Sequence, residues 1–453
     1  MKTQFTTLFL WLSLMMILMM TSCNRLLDEK SDLRLATPIT LEDNQALLDK
    51  YNDVITNFAA SGMVGSDDYY ISDANFNALM YEEDKRLYTW QPDHVATPKS
   101  AGNDWYYCYK AIYISNSVLY NLDTYQIPDA ANVRGQALVF RAARFLDAAQ
   151  IWCLAYNKTT ADTDLGLPLR LNPDMSTPSK RSTLQETYVQ ILSDLHEAVD
   201  LLPVQQAAAT RPSKISALAY LARTYLYMGD YEKALEYATK TLALKNELMD
   251  FNSLNPAVSF PIKDLNTEVL LRTSMYINLA VYSPIIRVPV DLYQSYSDHD
   301  LRKSIYFKIN PDGEIIFRGN YTGGSSGKLV GAATDEIYLI AAEANAQLNK
   351  VPEAMNVLNQ LLVTRWQNGT FINLTAATKD AALTVIAKER QKELLFRGIR
   401  WADLKRYNRD GANITLTKTV NGKTYTLPPN DLRYAVAIPE EIIKLSGIQQ
   451  NIR

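Results

Sequence analysis

The sequence has few of the residues that bind metal ions or form disulfide bridges. Its 453 residues include only three cysteines, at 23, 108 and 153, and three histidines that lie far apart in the chain. Structural zinc sites use closely spaced cysteine and histidine ligands, and disulfide frameworks need many cysteines. We therefore predict no metal site and no cofactor. Cys108 and Cys153 each lie in an apolar or aromatic pattern, so we predict buried free thiols.

The chain also lacks an excess of either charge. Lysine and arginine number 46 against 49 aspartate and glutamate residues, and no basic cluster occurs. Nucleic-acid-binding surfaces carry clustered positive charge, so we predict no nucleic-acid partner. Past residue 20, no apolar run approaches the roughly 20 residues that a membrane-spanning helix needs. The body is therefore predicted to be soluble, and it is long enough for an ample core.

Motifs of known catalytic chemistry are absent or incomplete. His196-Glu197 lacks the second histidine of a zinc-protease motif. Residues 323–327 have the glycine and serine spacing of a nucleophile elbow, but polar residues precede them and no helix follows, so we interpret them as a flexible loop. Asp67 and Asp68 could suggest a glycoside hydrolase, but adjacent residues rarely face each other across a ligand. We predict that the protein is not an enzyme and has no catalytic residue.

The amino terminus has the pattern of a secreted lipoprotein. Met1 and Lys2 give a short cationic start, residues 5–20 are mostly apolar, and small residues then precede Cys23. This is the pattern of a secretory signal peptide, and a cysteine at the cleavage point resembles a bacterial lipobox. We predict that residues 1–22 are removed and that Cys23 is lipidated. More than one acyl chain on that residue would make the membrane attachment durable.

Tyrosine is unusually abundant, with 28 residues against 12 phenylalanines. Eleven fall between Tyr51 and Tyr125, and six more between Tyr276 and Tyr321. Tyrosine combines an apolar ring with a polar tip and therefore suits half-wet surfaces. Helix packing accounts for most of these residues, but it explains their clustering in two non-helical regions poorly.

Helical periodicity dominates the rest of the chain. Residues 218–238 carry apolar residues at helical spacing on both sides of a turn at Gly229, and they resemble a tetratricopeptide repeat. A second helix pair is predicted over 338–361, and a looser third pair over 134–155 and 183–202. We predict a mostly α fold, in which a tetratricopeptide-like scaffold of helix pairs carries long loop insertions and a few short β-strands and hairpins.

Two irregular regions interrupt the helices. Residues 246–333 are rich in proline and contain short β-like runs, and residues 58–104 are rich in aspartate, tyrosine and asparagine. A long irregular insertion in a compact protein is usually functional or disordered, and the aromatic content argues against disorder. Nearer the end, alternating residues around Asn421-Gly422 predict a β-hairpin over 414–427.

The C-terminal stretch 389–406 carries a family signature, which reads Glu-Arg-Gln-Lys-Glu-Leu-Leu-Phe-Arg-Gly-Ile-Arg-Trp-Ala-Asp-Leu-Lys-Arg. It resembles a late helix of the SusD/RagB family, in which Glu-Arg is followed by Glu-Leu, an aromatic residue, Glu-Gly, Arg and Asp-Leu-x-Arg. The chain departs once, with Arg397 where the family usually has glutamate. The spacing predicts a solvated ion pair between Glu393 and Arg397, with Leu394, Leu395, Ile399 and Trp401 in the core.

Other segments extend the resemblance over nearly the whole chain. Residues 105–119 are similar to an early helix of that family, and residues 141–169 to its first repeat and the Gly-x-Pro-Leu that follows. Residues 436–441 and 449–451 are similar to its closing strand and short tail. The resemblance implies one SusD-like domain over 23–453, with an N-terminal part to about 245, a loop-rich insertion of about 246–333 and a C-terminal part from about 334.

The resemblance also implies a function. Members of the family are outer-membrane lipoproteins that hold a nutrient, usually a glycan, over a TonB-dependent transporter. We therefore expect a lipid-anchored protein of the outer membrane, facing the cell exterior, that binds an oligosaccharide and pairs with a SusC-like transporter. Two alternatives remain open: the same architecture binding peptides, as in RagB-like members, or a tetratricopeptide scaffold that binds only proteins.

The family places its ligand in loops from the early region and the long insertion. Sugar rings need flat aromatic platforms flanked by polar side chains. Region and residue type together give these candidate ligand-binding residues: Asp67, Asp68, Tyr69, Tyr70, Trp90, Asn103, Tyr276, Tyr282, Tyr293 and Tyr321.

Overall fold

The computed structural model describes residues 37–93, 103–275, 278–325 and 327–453. The predicted signal peptide, Cys23 and Tyr276 lie outside the described residues. Within the described ranges, no helix is both long enough and apolar enough to cross a membrane.

Helices form the framework of the protein. Their bounds are α1 Leu41–Leu48, α2 Ser61–Gly65, α3 Asp73–Asn77, α4 Glu82–Tyr88, α5 Asp104–Thr124, α6 Ala131–Trp152, α7 Leu184–Leu201, α8 Lys214–Met228, α9 Tyr231–Leu244, α10 Val290–Gln294, α11 Arg302–Tyr306, α12 Thr334–Gln347, α13 Val351–Leu362, α14 Lys379–Glu393, α15 Arg400–Arg409 and α16 Glu440–Ser446. Helices α5 to α9 each pack against the next, α9 packs against α12, and α12 packs against both α13 and α14. The mostly α prediction is confirmed.

The strongest predicted repeat is the pair α8 and α9. Helix α8 ends at Gly229, which adopts the left-handed conformation with φ of 77°, as glycine does readily because it has no Cβ. Asp230 then caps α9 by accepting a hydrogen bond from the backbone of Lys233. Ala222 and Ala234, one on each helix, are completely buried, which lets the two helices approach closely.

The other two predicted pairs also form. Helices α12 and α13 flank Asn349, whose φ of 60° lets it replace the glycine that the turn lacks. Helices α6 and α7 form the third pair, and the predicted capping box of Thr183 and Glu186 starts α7.

Strands are few and short among the described residues. Three antiparallel pairs occur, formed by β1 Leu165–Pro168 with β2 Arg181–Thr183, β3 Phe307–Ile309 with β4 Ile315–Phe317, and β5 Leu416–Val420 with β6 Lys423–Leu427. The last pair is the predicted hairpin, and Asn421 and Gly422 both have positive φ in its turn. The β-like run 285–288 is not a strand and makes a single bridge, between Arg287 and Tyr70.

The family signature is buried rather than solvated, which corrects the predicted surface ion pair. Glu393 accepts hydrogen bonds from Arg302 and Arg365 at 3.0 and 2.7 Å, while Arg397 pairs with Asp335 at 3.2 Å. All five side chains are buried. The prediction assumed one continuous helix, but α14 ends at Glu393 and Arg397 lies before α15. The partners of both residues come from distant segments of the chain. The four apolar residues of the signature are in the core, as predicted.

The two cysteines that the structure describes also match the prediction. Cys108 and Cys153 are both free and buried, and burial raises the pKa of each thiol.

Candidate ligand-binding site

The two tyrosine-rich loop regions lie side by side in the structure. The backbones of Tyr70 and Arg287 exchange two hydrogen bonds of 2.9 Å each. Deeper in the protein, the Asn278 side chain donates to Asp84 at 3.0 Å. Segments that are 194 and 217 residues apart at these two contacts are therefore joined directly.

Two aromatic rings from these regions remain open to solvent. Tyr70 and Tyr282 are each 41% exposed. Tyr282 follows a short 3-10 turn over Leu279–Val281, and its carbonyl accepts the backbone N–H groups of Ile285 and Ile286. The chain therefore turns sharply after Tyr282, which keeps its side chain out of the core.

Polar groups hold the backbone around these rings. Ser283 donates to the carbonyl of Ser325 at 2.7 Å and accepts from Lys328 Nζ at 3.0 Å. Burial lowers the pKa of Lys328 to about 8. The glycine-rich loop is thereby fixed beside Tyr282. We call the surface formed by Tyr70, Tyr282, Ser283, Arg287 and Ser325 the loop junction.

Arg287 is oriented by fixed contacts. Its Nε donates to Glu314 at 2.6 Å, and its NH1 donates to the carbonyls of Pro284 and Ile286. The loop junction thus combines exposed aromatic rings with ordered polar groups. Such a surface can stack on the apolar face of a sugar ring and hydrogen-bond its hydroxyls.

Several predicted binding residues lie instead beneath the surface. Tyr69 and Trp90 are buried and, with Tyr88, surround the ammonium group of Lys418. The Lys418 nitrogen lies 3.9 Å from the centre of the Tyr88 ring, 5.1 Å from Trp90 and 5.2 Å from Tyr69, and it donates to the carbonyl of Val64 at 2.9 Å. Tyr69 and Trp90 therefore surround a buried lysine, whose protonated form they favour through cation–π contacts although burial lowers its pKa to about 7. They are not available to stack on a ligand.

The acidic pair Asp67-Asp68 is also used internally. Arg400 binds both carboxylate oxygens of Asp67 at 2.7 and 2.8 Å, and Gln391 donates to Asp68 at 3.3 Å. Burial would raise the pKa of Asp67, but the Arg400 guanidinium holds it below its usual value. Burial, together with the charge of Asp67, raises the pKa of Asp68 to about 7. The pair anchors the early loop to α15.

Three further predicted binding residues, Tyr321, Tyr293 and Asn103, lie outside the loop junction. Tyr321 is buried and donates to Glu268 at 2.7 Å. Tyr293 is half-buried, with its ring edge-on to Phe307 at 5.4 Å. Asn103 caps α5 and reaches Glu441 at 3.4 Å. A cavity of about 30 Å³ lies between Trp90 and Asn103, which is room for about one water molecule.

The structure thus places Tyr70 and Tyr282, of the ten predicted residues, at one exposed junction, and it buries Asp68, Tyr69, Trp90 and Tyr321. Sequence reasoning missed Ser283, Arg287 and Lys328. Arg287 had a signal, since it is the only charged residue in the apolar run 285–288. Among the described residues, no group of three or more histidine, cysteine, aspartate or glutamate side chains could hold a metal ion.

The fold defines the class of protein, a tetratricopeptide-like scaffold of helix pairs that carries an aromatic loop surface. Comparison with known proteins identifies the family. A model of SusD-like proteins, described as "Starch-binding associating with outer membrane", matches residues 25–226. A model of the SusD family matches residues 334–446. The chain belongs to the SusD/RagB family, whose members are described as carbohydrate-binding proteins associated with the outer membrane.

Individual relatives are distant. The SusD-like protein P38 of Formosa agariphila is 24% identical over 405 residues, covering 72% of this chain and 76% of that protein. The crystal structure of a SusD superfamily protein from Bacteroides thetaiotaomicron matches with a TM-score of 0.73 at 21% identity, covering 92% of this chain and all of that one. A SusD-like carbohydrate binding protein from Bacteroides vulgatus matches with a TM-score of 0.66 at 21% identity, covering 90% of this chain and 97% of that one. These likenesses establish the shared fold.

Proposed function

We propose that this protein is a cell-surface lipoprotein that binds an oligosaccharide at the loop junction and delivers it to a SusC-like TonB-dependent transporter. The observation that carries the proposal is the meeting of two distant loop regions at Tyr70 and Arg287, with Tyr70 and Tyr282 exposed beside them. A family described as starch-binding supports a glycan as the ligand.

The surroundings of the acidic pair support binding without cleavage. A glycosidase needs two carboxyl groups that face the scissile bond from opposite sides. Asp67 is held by both donors of Arg400, and Asp68 is buried against Gln391. A lobe that holds a glycan over a pore needs no catalytic group, because it acts by raising the local concentration of the ligand.

Glycan-array screening of the full chain, purified in detergent, followed by calorimetry on the best oligosaccharide, tests the ligand assignment. Tyr70→Ala and Tyr282→Ala should each weaken binding by about thirtyfold, as loss of a hot-spot aromatic residue does. Tyr125→Ala is a matched control, because Tyr125 is similarly exposed at the end of α5. Unchanged affinity in both junction variants would place the site elsewhere, and binding of peptides but no glycan would favour the RagB-like alternative.

The membrane anchor is tested separately. We propose that Cys23 is the lipidated amino terminus of the mature protein. Cys23→Ala should release the protein from the membrane fraction or leave its precursor unprocessed. Unchanged fractionation and unchanged labelling with a fatty-acid analogue would refute the anchor, and protease accessibility on intact cells tests the outward orientation.

The transporter partnership has its own test. Affinity purification of the tagged full chain from detergent-solubilised outer membranes should recover a large β-barrel protein with TonB-dependent features. Recovery of soluble proteins without such a barrel would favour the tetratricopeptide scaffold alternative.

A further inference from the structure

Helix α5 carries a row of exposed tyrosines that lies outside the loop junction. Tyr106, Tyr113 and Tyr120 are 48%, 45% and 53% exposed. They are spaced seven residues apart, so they lie on one face of the helix. We call these three residues the tyrosine ladder.

The fold does not need the ladder. The core-facing side of α5 packs without it, since Cys108, Ile112, Val118 and Leu122 are all buried and the buried Asn116 accepts a hydrogen bond from Arg141 at 2.9 Å. Tyr109, which packs inward, stacks on Trp105 with a distance of 4.7 Å between ring centres. These inward residues account for the packing of α5 against the core. Of the outward rings, Tyr106 lies edge-on to Tyr107 at 5.3 Å between ring centres and 5.7 Å from Lys110 Nζ, and both of these contacts are on α5 itself.

The outer face of α5 is also unusually poor in charge. Solvent-exposed faces of helices normally carry charged and polar residues. Between the ladder rings this face presents only Lys110 and Ser117, and Lys110 pairs with Asp53 at 2.7 Å. The charge on the face is therefore compensated locally, which suits a neutral ligand and does not suit a polyanion or a strongly charged protein surface.

The spacing of the rings limits the shape of the ligand. Seven residues of α-helix advance about 10.5 Å along the axis, and the row drifts by only about 20° around the helix per step. Three amphipathic rings thus follow a nearly straight line at equal intervals. In an extended β-1,4-linked glycan with a twofold repeat, every second sugar ring presents the same face, at an interval close to this spacing. An α-1,4-linked glucan coils and does not present faces along a straight line.

We propose that the tyrosine ladder is a second carbohydrate-binding surface, specific for a neutral, extended β-1,4-linked glycan that lies along α5. Each ladder ring packs against the apolar face of every second sugar. The surface shares no residue with the loop junction, so it is independent of the oligosaccharide site proposed there. It would hold the polymer at the protein surface while the junction binds a shorter piece.

The test uses the full chain, purified in detergent, in a background that carries Tyr70→Ala and Tyr282→Ala, so that the loop junction does not contribute. The probes are cellohexaose and mannohexaose, which are β-1,4-linked, and maltohexaose, which has the same length but α-1,4 links. We expect measurable binding of at least one β-1,4-linked probe and weaker binding of maltohexaose. If neither β-1,4-linked probe binds, the ladder proposal is overturned. The proposed loop-junction site is not affected by that result, because its glycan binding is measured on the chain without Tyr70→Ala and Tyr282→Ala.

Two ladder variants and one control show whether glycan affinity depends on the spacing of the rings or only on the number of exposed tyrosines. Combined Tyr106→Ala, Tyr113→Ala and Tyr120→Ala should weaken binding by about thirtyfold or more. The pair Tyr113→Ala with Ser117→Tyr keeps three exposed tyrosines but moves the middle ring by one turn, and it should also lose affinity. Tyr125→Ala should bind as the background does.

The remaining outcomes are also decisive. Equal binding by the shifted variant and the background would refute the spacing argument, and equal binding by the triple variant would refute the ladder. If the triple variant binds the glycan normally but no longer retains the transporter, the ladder is a protein interface and the proposal is overturned. Because all three residues point outward, melting temperatures should match the background; should the triple variant not fold, Tyr113→Ala alone gives the same comparison.

Discussion

Arg400 and Asp67 are 333 positions apart in sequence and form a two-pronged ion pair, with N–O distances of 2.7 and 2.8 Å. Arg400 belongs to the C-terminal signature, and Asp67 belongs to the early loop region. The ion pair therefore joins the early loop region, three residues before Tyr70, to helix α15. Parallel N–H donors suit this geometry in a way that a lysine ammonium cannot reproduce.

Removing Arg400 should destabilise the protein strongly. Arg400→Ala leaves the carboxylates of Asp67 and Asp68 close together without their main counter-charge, and loss of one partner of a buried pair typically costs about 3–5 kcal/mol. We expect a loss at the lower end of that range, because Asp67 is partly exposed. Arg400→Lys should recover only part of the loss. Denaturant unfolding followed by circular dichroism measures both.

The matched control is the exposed ion pair of Lys444 with Glu440 on α16. Exposed pairs contribute about 0–1 kcal/mol, so Lys444→Ala should leave the unfolding midpoint nearly unchanged. An Arg400→Ala protein as stable as the Lys444→Ala protein would show that the early loop does not depend on α15.

Asp68 should make stability depend on pH. Its pKa rises from 3.8 in the unfolded chain to about 7 in the folded protein, mainly through burial and then through the charge of Asp67. The folded state therefore binds more protons than the unfolded state between pH 4 and 7, and stability falls as pH rises through that window. The largest slope from one group is about 1.4 kcal/mol per pH unit.

Asp68→Asn removes this titration and keeps an oxygen to accept the Gln391 hydrogen bond. The difference in unfolding free energy between Asp68→Asn and the wild type should therefore grow in favour of the variant from pH 4 to pH 7. A constant difference across that range would show that Asp68 keeps its ordinary pKa in the folded protein.

The helices could be predicted because local sequence determines them. The pair α8 and α9 had helical spacing and a glycine at its turn, and α7 had a complete capping box. The hairpin of β5 and β6 had Asn-Gly at the two positions that need positive φ. In each case the residues that specify the structure lie within a few positions of one another.

The candidate site could be predicted only by region. Tyr69 and Tyr70 are neighbours of identical type, yet one contacts buried Lys418 and the other faces solvent, because successive residues of an extended segment point to opposite sides. Which side faces the core depends on Lys418 and Arg400, more than 300 residues away. For the same reason the signature charges were predicted to be solvated, although Glu393 and Arg397 have partners in the insertion and in α12.

Two glycines should respond differently to the same substitution. A Cβ on Gly331 would lie 1.7 Å from the carbonyl oxygen of Leu271, so Gly331→Ala forces the insertion backbone apart and should cost several kcal/mol, roughly 3 or more. A Cβ on Gly422 meets nothing within 4 Å, and only its φ of 72° opposes a side chain. Gly422→Ala should therefore cost about 1 kcal/mol. Equal losses in denaturant unfolding would contradict the tight crossing of residues 271 and 331.

Trp90 and Tyr282 were both predicted to stack on a sugar, but the structure buries Trp90 and leaves Tyr282 exposed. Trp90 is buried and donates from Nε1 to the carbonyl of Gly65 at 2.8 Å. With Tyr69 and Tyr88 it surrounds Lys418, and we call these three rings the lysine cage. Trp90→Ala should cost about 3–5 kcal/mol, because it leaves a cavity and a lysine with fewer aromatic contacts. Any loss of glycan binding by that variant should follow its loss of folded structure.

Tyr282→Ala should show the reverse behaviour. Its ring is exposed, so truncation should change the unfolding free energy by about 0.5 kcal/mol or less and weaken glycan binding by about thirtyfold. Thermal unfolding and calorimetry on both variants separate the two roles. If folded Trp90→Ala protein lost glycan affinity while Tyr282→Ala kept it, the ligand would bind near the lysine cage, and the loop junction would have to be abandoned as the site.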